Sequence, residues 1–173
     1  MIFIGVGSNL PSERYGSPLE TCRAALTAVE AAGVAIRRRS RWYESAPVPP
    51  SGQPWFVNAV AEVETGLQPD ALLAVLHGIE EKFGRVRRER NEARILDLDL
   101  LAYDDMVRNS PSGPVLPHPR MKDRAFVLLP LAELAPGWRH PVTGARISDL
   151  VAALPPDQVA RPVQPQIADK SQG

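Results

Sequence analysis

The chain has 173 residues, 44% of them apolar and 23% charged, which suits one core of ordinary size in a soluble globular domain. Twenty lysines and arginines balance twenty aspartates and glutamates, so no global positive field gathers nucleic acid or an anionic membrane, and any basic site must be local. The single cysteine, Cys22, excludes an internal disulfide framework and a cysteine-only metal site; among Leu19, Leu26 and Val29 it reads as a buried structural thiol.

No basic region precedes Met1-Ile2-Phe3-Ile4-Gly5 and no apolar run approaches the length of a membrane span, so the cytoplasm is the expected compartment. Ile2 to Val6 reads as a buried strand entering Gly7-Ser8-Asn9. Ser17-Pro18-Leu19-Glu20 then starts a helix with a capping residue, a first-turn proline and a capping-box glutamate. Gly33 closes that helix, Val34 to Tyr43 reads as a second strand with its arginines in water, and Trp55 to Thr65 as a third beyond a proline-rich loop. Pro69 opens a second helix with Leu72, Leu73, Leu76, Ile79 and Phe83 on its inner stripe, and Gly84 is its left-handed cap. Ile95 to Tyr103 is the fourth strand.

Strand, helix, strand, strand, helix, strand predicts an α+β fold, a ferredoxin-like split βαβ core (β-α-β-β-α-β) with helices on one sheet face and the other free for a ligand. C-terminal helical additions follow, one over Ala125 to Leu134 that Pro130 should kink or shorten, and a turn or two over Ile147 to Leu154. Residues 1–155 form the expected domain and the polar, proline-containing residues 156–173 a loosely attached tail.

The richest stretch is Arg94-Ile95-Leu96-Asp97-Leu98-Asp99-Leu100-Leu101. On a strand, Asp97 and Asp99 project to one face about 6.6 Å apart, while Leu96, Leu98 and Leu100 take the other. Carboxylates so spaced can reach two divalent ions about 3.5 to 4 Å apart, the separation that clamps a reacting phosphate. Arg85, Arg87, Arg88, Arg90 and Arg94 lie just upstream and offer planar forks for the same oxyanions. An Asp-x-Asp strand also suits the wetted face of an antiparallel sheet, and an arginine run interleaved with Glu81, Glu89 and Glu92 a solvated surface. Their adjacency favours a metal-triphosphate site. The segment from Arg87 to Ala93, polar and rich in long charged side chains, reads as a lid.

Five ordered blocks carry a family resemblance: Gly7-Ser8-Asn9-Leu10; Gln53-Pro54 to Asn58-Ala59; Ile79-Glu80 with Gly84-Arg85-Val86-Arg87; Arg94 to Asp99; and Leu116-Pro117-His118-Pro119-Arg120-Met121 with Arg124-Ala125-Phe126. In these the chain, over roughly residues 2 to 155, resembles the 6-hydroxymethyl-7,8-dihydropterin pyrophosphokinases of folate biosynthesis. The resemblance implies pyrophosphate transfer from ATP to the pterin alcohol with release of AMP; a monomer is expected, with neither nucleic acid nor membrane as a partner. It implies Asp97 and Asp99 as ligands of two Mg2+ ions, with Arg85 and Arg94 neutralising charge during transfer. Glu80, Arg87, Arg90, His118 and Arg124 become nucleotide contacts. Ser45, Ala46, Val48, Phe56, Asn58 and Phe126 become pterin contacts, Phe56 and Phe126 by stacking and Asn58 by reading the ring edge.

From the residues alone, His118 also fits a loop histidine pinned between prolines, Glu80 an exposed helix carboxylate, and the two phenylalanines ordinary core. The chain departs from the family pattern at Asn91-Glu92-Ala93, a shorter loop without the usual Gly and Pro, at Phe56 for a frequent tyrosine, at Pro11 for a frequent glycine, and at Ser112-Gly113-Pro114, which lacks the arginine some relatives direct at the triphosphate. Two rivals are a two-metal nucleotidyltransferase on the same sheet, which needs a further carboxylate and a glycine-rich turn, and a non-catalytic nucleotide- or RNA-binding module. The second needs exposed strand aromatics in basic surroundings, against 6% aromatic residues and zero net charge here.

Overall fold

The computed structural model describes residues 1–84 and 95–164. Strand β1 (Ile2–Ser8) leads to helix α1 (Pro18–Ala31), whose start is the reciprocal cap expected: Ser17 Oγ accepts the Glu20 N–H at 3.3 Å and Glu20 Oε2 accepts the Ser17 N–H at 3.0 Å. Then come β2 (Ala35–Arg39), β3 (Tyr43–Ser45), β4 (Phe56–Glu64), α2 (Pro69–Lys82) and β5 (Asp97–Tyr103). Gly84, at φ 88°, follows α2 in the left-handed conformation a Cβ disfavours. A single 3-10 turn (Met121–Asp123), α3 (Ala125–Leu134), α4 (Ile147–Ala152) and β6 (Ala160–Pro162) complete the described residues.

The strands form one antiparallel sheet in the order β5-β1-β4-β3-β6, with β2 also paired to β4. The expected strand from Val34 to Tyr43 is therefore two. Its break falls at Ser40, whose amide donates to the Val60 carbonyl and whose hydroxyl accepts the Val60 N–H at 3.1 Å, standing in for the ladder there. Residues 160–162, expected in a loose tail, instead pair with β3 in the register Tyr43↔Pro162 to Ser45↔Ala160, because that edge offers them backbone partners.

Both sheet faces are used. Ile4, Val6, Ala59, Ala61, Leu98 and Leu100 bury one face under α1 and α2, with Cys22, Leu26, Leu72 and Leu76. On the other, Phe3, Val60 and Leu101 are covered by α3 and α4 through Val127, Leu128, Leu131 and Ile147. The expectation of one wholly free face is thus corrected: three large apolar side chains on that face need burial, and α3 supplies it. Helix α3 continues through Pro130, which neither ends nor splits it. Among the described residues, the part of the face beyond α3 stays open.

Candidate active site

Strand β5 alternates as its sequence demands. Leu96, Leu98 and Leu100 are at most 3% exposed, and Asp97 and Asp99 are half-buried on the opposite face. Each aspartate lies across from a glycine of β1, Asp97 from Gly7 and Asp99 from Gly5. On the far side of β1, Gly7 faces Asn58 and Gly5 faces Val60. Side chains opposite one another across a sheet share a face, so β1 contributes no side chain between the aspartates and β4. The result is a trough. Asp97, Gly7 and Asn58 form one cross-strand row, with the outer two about 10 Å apart over two strand spacings.

Around this floor lies a cleft with about 910 Å³ of open space. Its walls are Phe56 on β4, Pro47, Val48 and Pro49 on the loop after β3, and Arg124, Phe126 and Val127 at the start of α3. The Arg124 guanidinium stands 5.3 Å from the centre of the Phe126 ring. Asn58 is 5% exposed, and its Nδ2 donates to Ser45 Oγ at 2.7 Å, which fixes the amide plane. A Cβ on Gly7 would stand 2.7 Å from Asn58 Oδ1, so the amide occupies the space a side chain there would fill. The loop is tied to the floor by Asn9, whose Nδ2 donates to Gln53 Oε1 at 3.2 Å and to the Pro54 carbonyl at 3.1 Å.

Of the expected pterin contacts, Val48, Phe56, Asn58 and Phe126 line the cleft together. Ser45 stands behind Asn58 as its hydrogen-bond partner, and Ala46 lines an adjoining recess beside Trp55 and Gln158. Among the expected nucleotide contacts, Arg124 reaches the cleft. Glu80 lies instead beneath β5, 1% exposed, with Oε2 accepting the Leu98 N–H at 3.0 Å. Helix α2 runs antiparallel along β5, from just after Leu67, whose carbonyl accepts the Tyr103 hydroxyl, to Glu80 beside Leu98. This carboxylate satisfies an outward N–H of the edge strand between the two aspartates. Arg85, Arg87, Arg90 and Arg94, with the lid expected from Arg87 to Ala93, lie outside the described residues.

His118 follows the Leu116–Pro117 cis peptide, and its amide donates to the Leu101 carbonyl at 2.8 Å. Its Nδ1 accepts the Arg120 N–H at 3.2 Å, so the neutral ring carries its proton on Nε2. Burial, with the nearby Arg124 and Arg120 charges, lowers its pKa to about 4 against a smaller opposing pull from Asp97. It is neutral near pH 7. Arg108, the nearest arginine before the Leu116-Pro117-His118 block, pairs with Asp70 at 2.6 Å in the first turn of α2, at the Tyr103 end of β5 and away from Asp97. Burial pushes the Cys22 thiol up to about 12, as fits a structural cysteine.

Among the described residues no cluster of three or more His, Cys, Asp or Glu gathers as a closed metal cage. The Asp97 and Asp99 pair suits an open one. Mg2+ takes oxygen ligands, keeps several waters and is commonly held by one or two carboxylates plus substrate phosphates. Sequence reasoning gave no role in the site to Gly5, Gly7, Asn9 and Gln53. The signal for the first two was present: along β1 glycine alternates with Ile4 and Val6, so one face of the strand is bare.

A protein-family model described as 7,8-dihydro-6-hydroxymethylpterin-pyrophosphokinase matches residues 3–136, from β1 to just past α3. The chain belongs to that family. The 2-amino-4-hydroxy-6-hydroxymethyldihydropteridine pyrophosphokinase of Pseudomonas aeruginosa is 42% identical over 164 residues, covering 92% of this chain and 95% of its own length. The protein of the same name from Synechocystis is 38% identical over 149 residues, 86% of this chain and 73% of its own. The folic acid synthesis protein fol1 of Pneumocystis carinii is 36% identical over 164 residues, but the match spans only 21% of that longer protein. Every element that walls the cleft lies inside the family match; α4 and β6 lie beyond it.

Proposed function

We propose that the chain transfers a pyrophosphoryl group from ATP to the hydroxymethyl oxygen of 6-hydroxymethyl-7,8-dihydropterin and releases AMP, within folate biosynthesis. The observation that carries this reading is the row Asp97, Gly7, Asn58. It joins a carboxylate pair suited to metal-bound phosphate to an amide held at the floor of an aromatic cleft, with no β1 side chain between them. A flat heterocycle with an amide-like edge needs apolar faces and a few fixed polar groups. Phe56 and Phe126 supply the faces, and Asn58, oriented by Ser45, supplies the edge contact.

In the reaction the pterin oxygen bonds to the β-phosphorus while the bond from that phosphorus to the α-phosphate oxygen breaks. AMP leaves with the electron pair, and the hydroxyl proton passes to solvent. Transfer of this kind depends on alignment and charge stabilisation more than on covalent help. Asp97 and Asp99 would hold two Mg2+ ions, which when bound supply charge neutralisation at the bridging phosphate oxygens. Arg85 and Arg94 are assigned to the transferring group, and Arg87, Arg90, Arg124 and His118 to the nucleotide; Glu80 serves that side indirectly, through β5. The neutral His118 can donate a hydrogen bond from Nε2 without adding charge.

The finer fold belongs with this proposal. The neighbours β5, β1, β4 and β2, with α1 and α2 under one face, support a ferredoxin-like split βαβ core. Residues 1–155 as the catalytic domain, with residues 156–173 as an appendage, a monomeric state, and a cytoplasmic enzyme needing neither nucleic acid nor membrane complete it. No helix among the described residues is long and apolar enough to cross a membrane. The test is AMP formation from ATP and Mg2+ with and without the pterin alcohol. AMP that appears equally fast without the pterin refutes the assignment.

A further inference from the structure

Helix α3 begins without a cap of its own. Its N-cap residue, Arg124, makes no side-chain capping bond, and the guanidinium is instead turned to the cleft. The first helical N–H, that of Ala125, needs a partner because no preceding turn supplies one. Gln158, 33 residues later, provides it: its Oε1 accepts the Ala125 N–H at 2.8 Å, and its Nε2 donates to the Asp123 carbonyl at 2.7 Å. One amide thus clasps both sides of the junction from which Arg124 and Phe126 enter the cleft.

The next residue grips the opposite wall. The Val159 carbonyl accepts the Ala46 N–H at 3.1 Å, just before Pro47 and Val48 reach the cleft. Beyond it β6 pairs with β3, Ser45 against Ala160, and the Val163 amide donates to the Trp42 carbonyl at 2.8 Å. The dipeptide Gln158-Val159 therefore spans from the start of α3 to the loop after β3, and those are the two sides between which a flat ligand has to fit.

We propose that Gln158 is a positioning residue that sets the gap between the Phe126 wall and the Pro47-Val48 wall, and so tunes affinity for the pterin without touching it. This rests on the pterin reading of the cleft. Loss of the clasp leaves α3 and the loop free to separate. A ligand that binds only the clasped form then loses apparent affinity in proportion to the clasped fraction.

The test measures dissociation constants for 6-hydroxymethyl-7,8-dihydropterin and for a non-hydrolysable ATP analogue with Mg2+, each protein's thermal midpoint, and steady-state kinetics. The proteins are the wild type, Gln158→Ala, Gln158→Glu and, as a destabilised control in the core under α4, Ile147→Val. A clasped fraction falling to about a tenth or a fifth in Gln158→Ala raises the pterin constant about five- to tenfold. The ATP analogue weakens by less than about twofold, because Asp97 and Asp99 are untouched. In Gln158→Glu a carboxylate can still accept the Ala125 N–H, favourably at a helix start, but cannot donate to Asp123, so its pterin constant falls between the two. Ile147→Val lowers the midpoint and leaves the pterin constant alone. An unchanged pterin constant in Gln158→Ala overturns the clasp, as does parallel weakening of both ligands that tracks the midpoint in all variants. Should Gln158→Ala fail to fold, wild-type pterin affinity in Gln158→Glu overturns it as well. A wild-type protein that does not bind the pterin overturns the reading of the cleft itself.

Discussion

Replacing Gly7 with alanine adds one methyl group to the floor of the cleft, where the new Cβ would meet Asn58 Oδ1 at 2.7 Å, closer than real Cβ contacts come. Gly7 has no positive φ, so alanine suits the backbone and the whole cost is steric. The amide cannot simply swing aside, because it is 5% exposed and its Nδ2 is bound to Ser45 at 2.7 Å. Overpacking of this kind costs about 1 to 3 kcal/mol of stability, and a broken amide-hydroxyl bond about 1 kcal/mol within that range. If the displaced amide also loses two hydrogen bonds to the pterin edge, binding weakens by about 2 kcal/mol, or about thirtyfold. Gly5→Ala is the control: its Cβ would lie 3.5 Å from Leu101 Cδ1, an ordinary contact. The assay is pterin titration with Mg2+ and an ATP analogue, together with the double variant Gly7→Ala/Asn58→Ala. Removing the amide removes the clash, so the two penalties should combine to clearly less than their sum. Wild-type pterin affinity in Gly7→Ala, or strict additivity in the double variant, refutes the steric argument.

Asp97→Asn and Asp99→Asn should each lower turnover by about a thousandfold, the scale of losing several kcal/mol of metal-assisted charge stabilisation, with a folded state intact by circular dichroism; activity within tenfold of wild type refutes the metal assignment. Glu80→Ala should cost about 2 to 3 kcal/mol in urea unfolding, and Glu80→Gln less, because the buried Leu98 N–H loses its charged acceptor; unchanged stability with a large rise in the ATP constant would return Glu80 to direct nucleotide contact. For His118 the folded pKa is lowered from 6.5 to about 4, so as the pH falls through that window the unfolded chain takes up a proton that the folded chain refuses. Stability is then lost on acidification, by up to about 3 kcal/mol, and His118→Gln should flatten that slope in unfolding series at pH 7 and pH 4.5; an equal slope in both proteins contradicts the burial of a neutral ring.

Features that depend on near neighbours in the chain were legible without coordinates. The Ser17 to Glu20 capping box closes within one turn, and the alternation of β5 separates leucine from aspartate by the strand period alone. Features owed to distant partners were not. The break between β2 and β3 exists because Ser40 bonds to Val60, and the strand character of residues 160–162 comes from the exposed side of β3. Helix α3 is apolar nearly all round, so its periodicity names no inner face, and its cover of Phe3 and Val60 could not be read from it. The burial of Glu80 was hidden by its charge. With Leu72, Leu76, Ile79 and Phe83 it keeps the spacing of the buried stripe, and that spacing outweighs residue type once a strand N–H waits beneath it.

The open cleft and the second core share one sheet face, and a change of side-chain size along β1 divides them. Phe3 needs α3 above it, and with Val60 and Leu101 it anchors that helix. Two and four residues on, Gly5 and Gly7 offer nothing to bury, so the cover stops and the floor is bare. The end of the cover is the N-terminus of α3, which is why Arg124 and Phe126 stand at the rim and not inside a core. Both aspartates are paired in register with these glycines, so no β1 side chain stands beside the carboxylates, while Leu98 and Leu100 keep β5 anchored from behind. A bulky apolar residue at Gly5 would extend the reason for cover toward Asp99, and one at Gly7 would collide with Asn58 first. The bare stretch of β1 thus does two jobs at once: it leaves room for a flat ligand over Asn58, and it puts no side chain of its own between that ligand and the carboxylates.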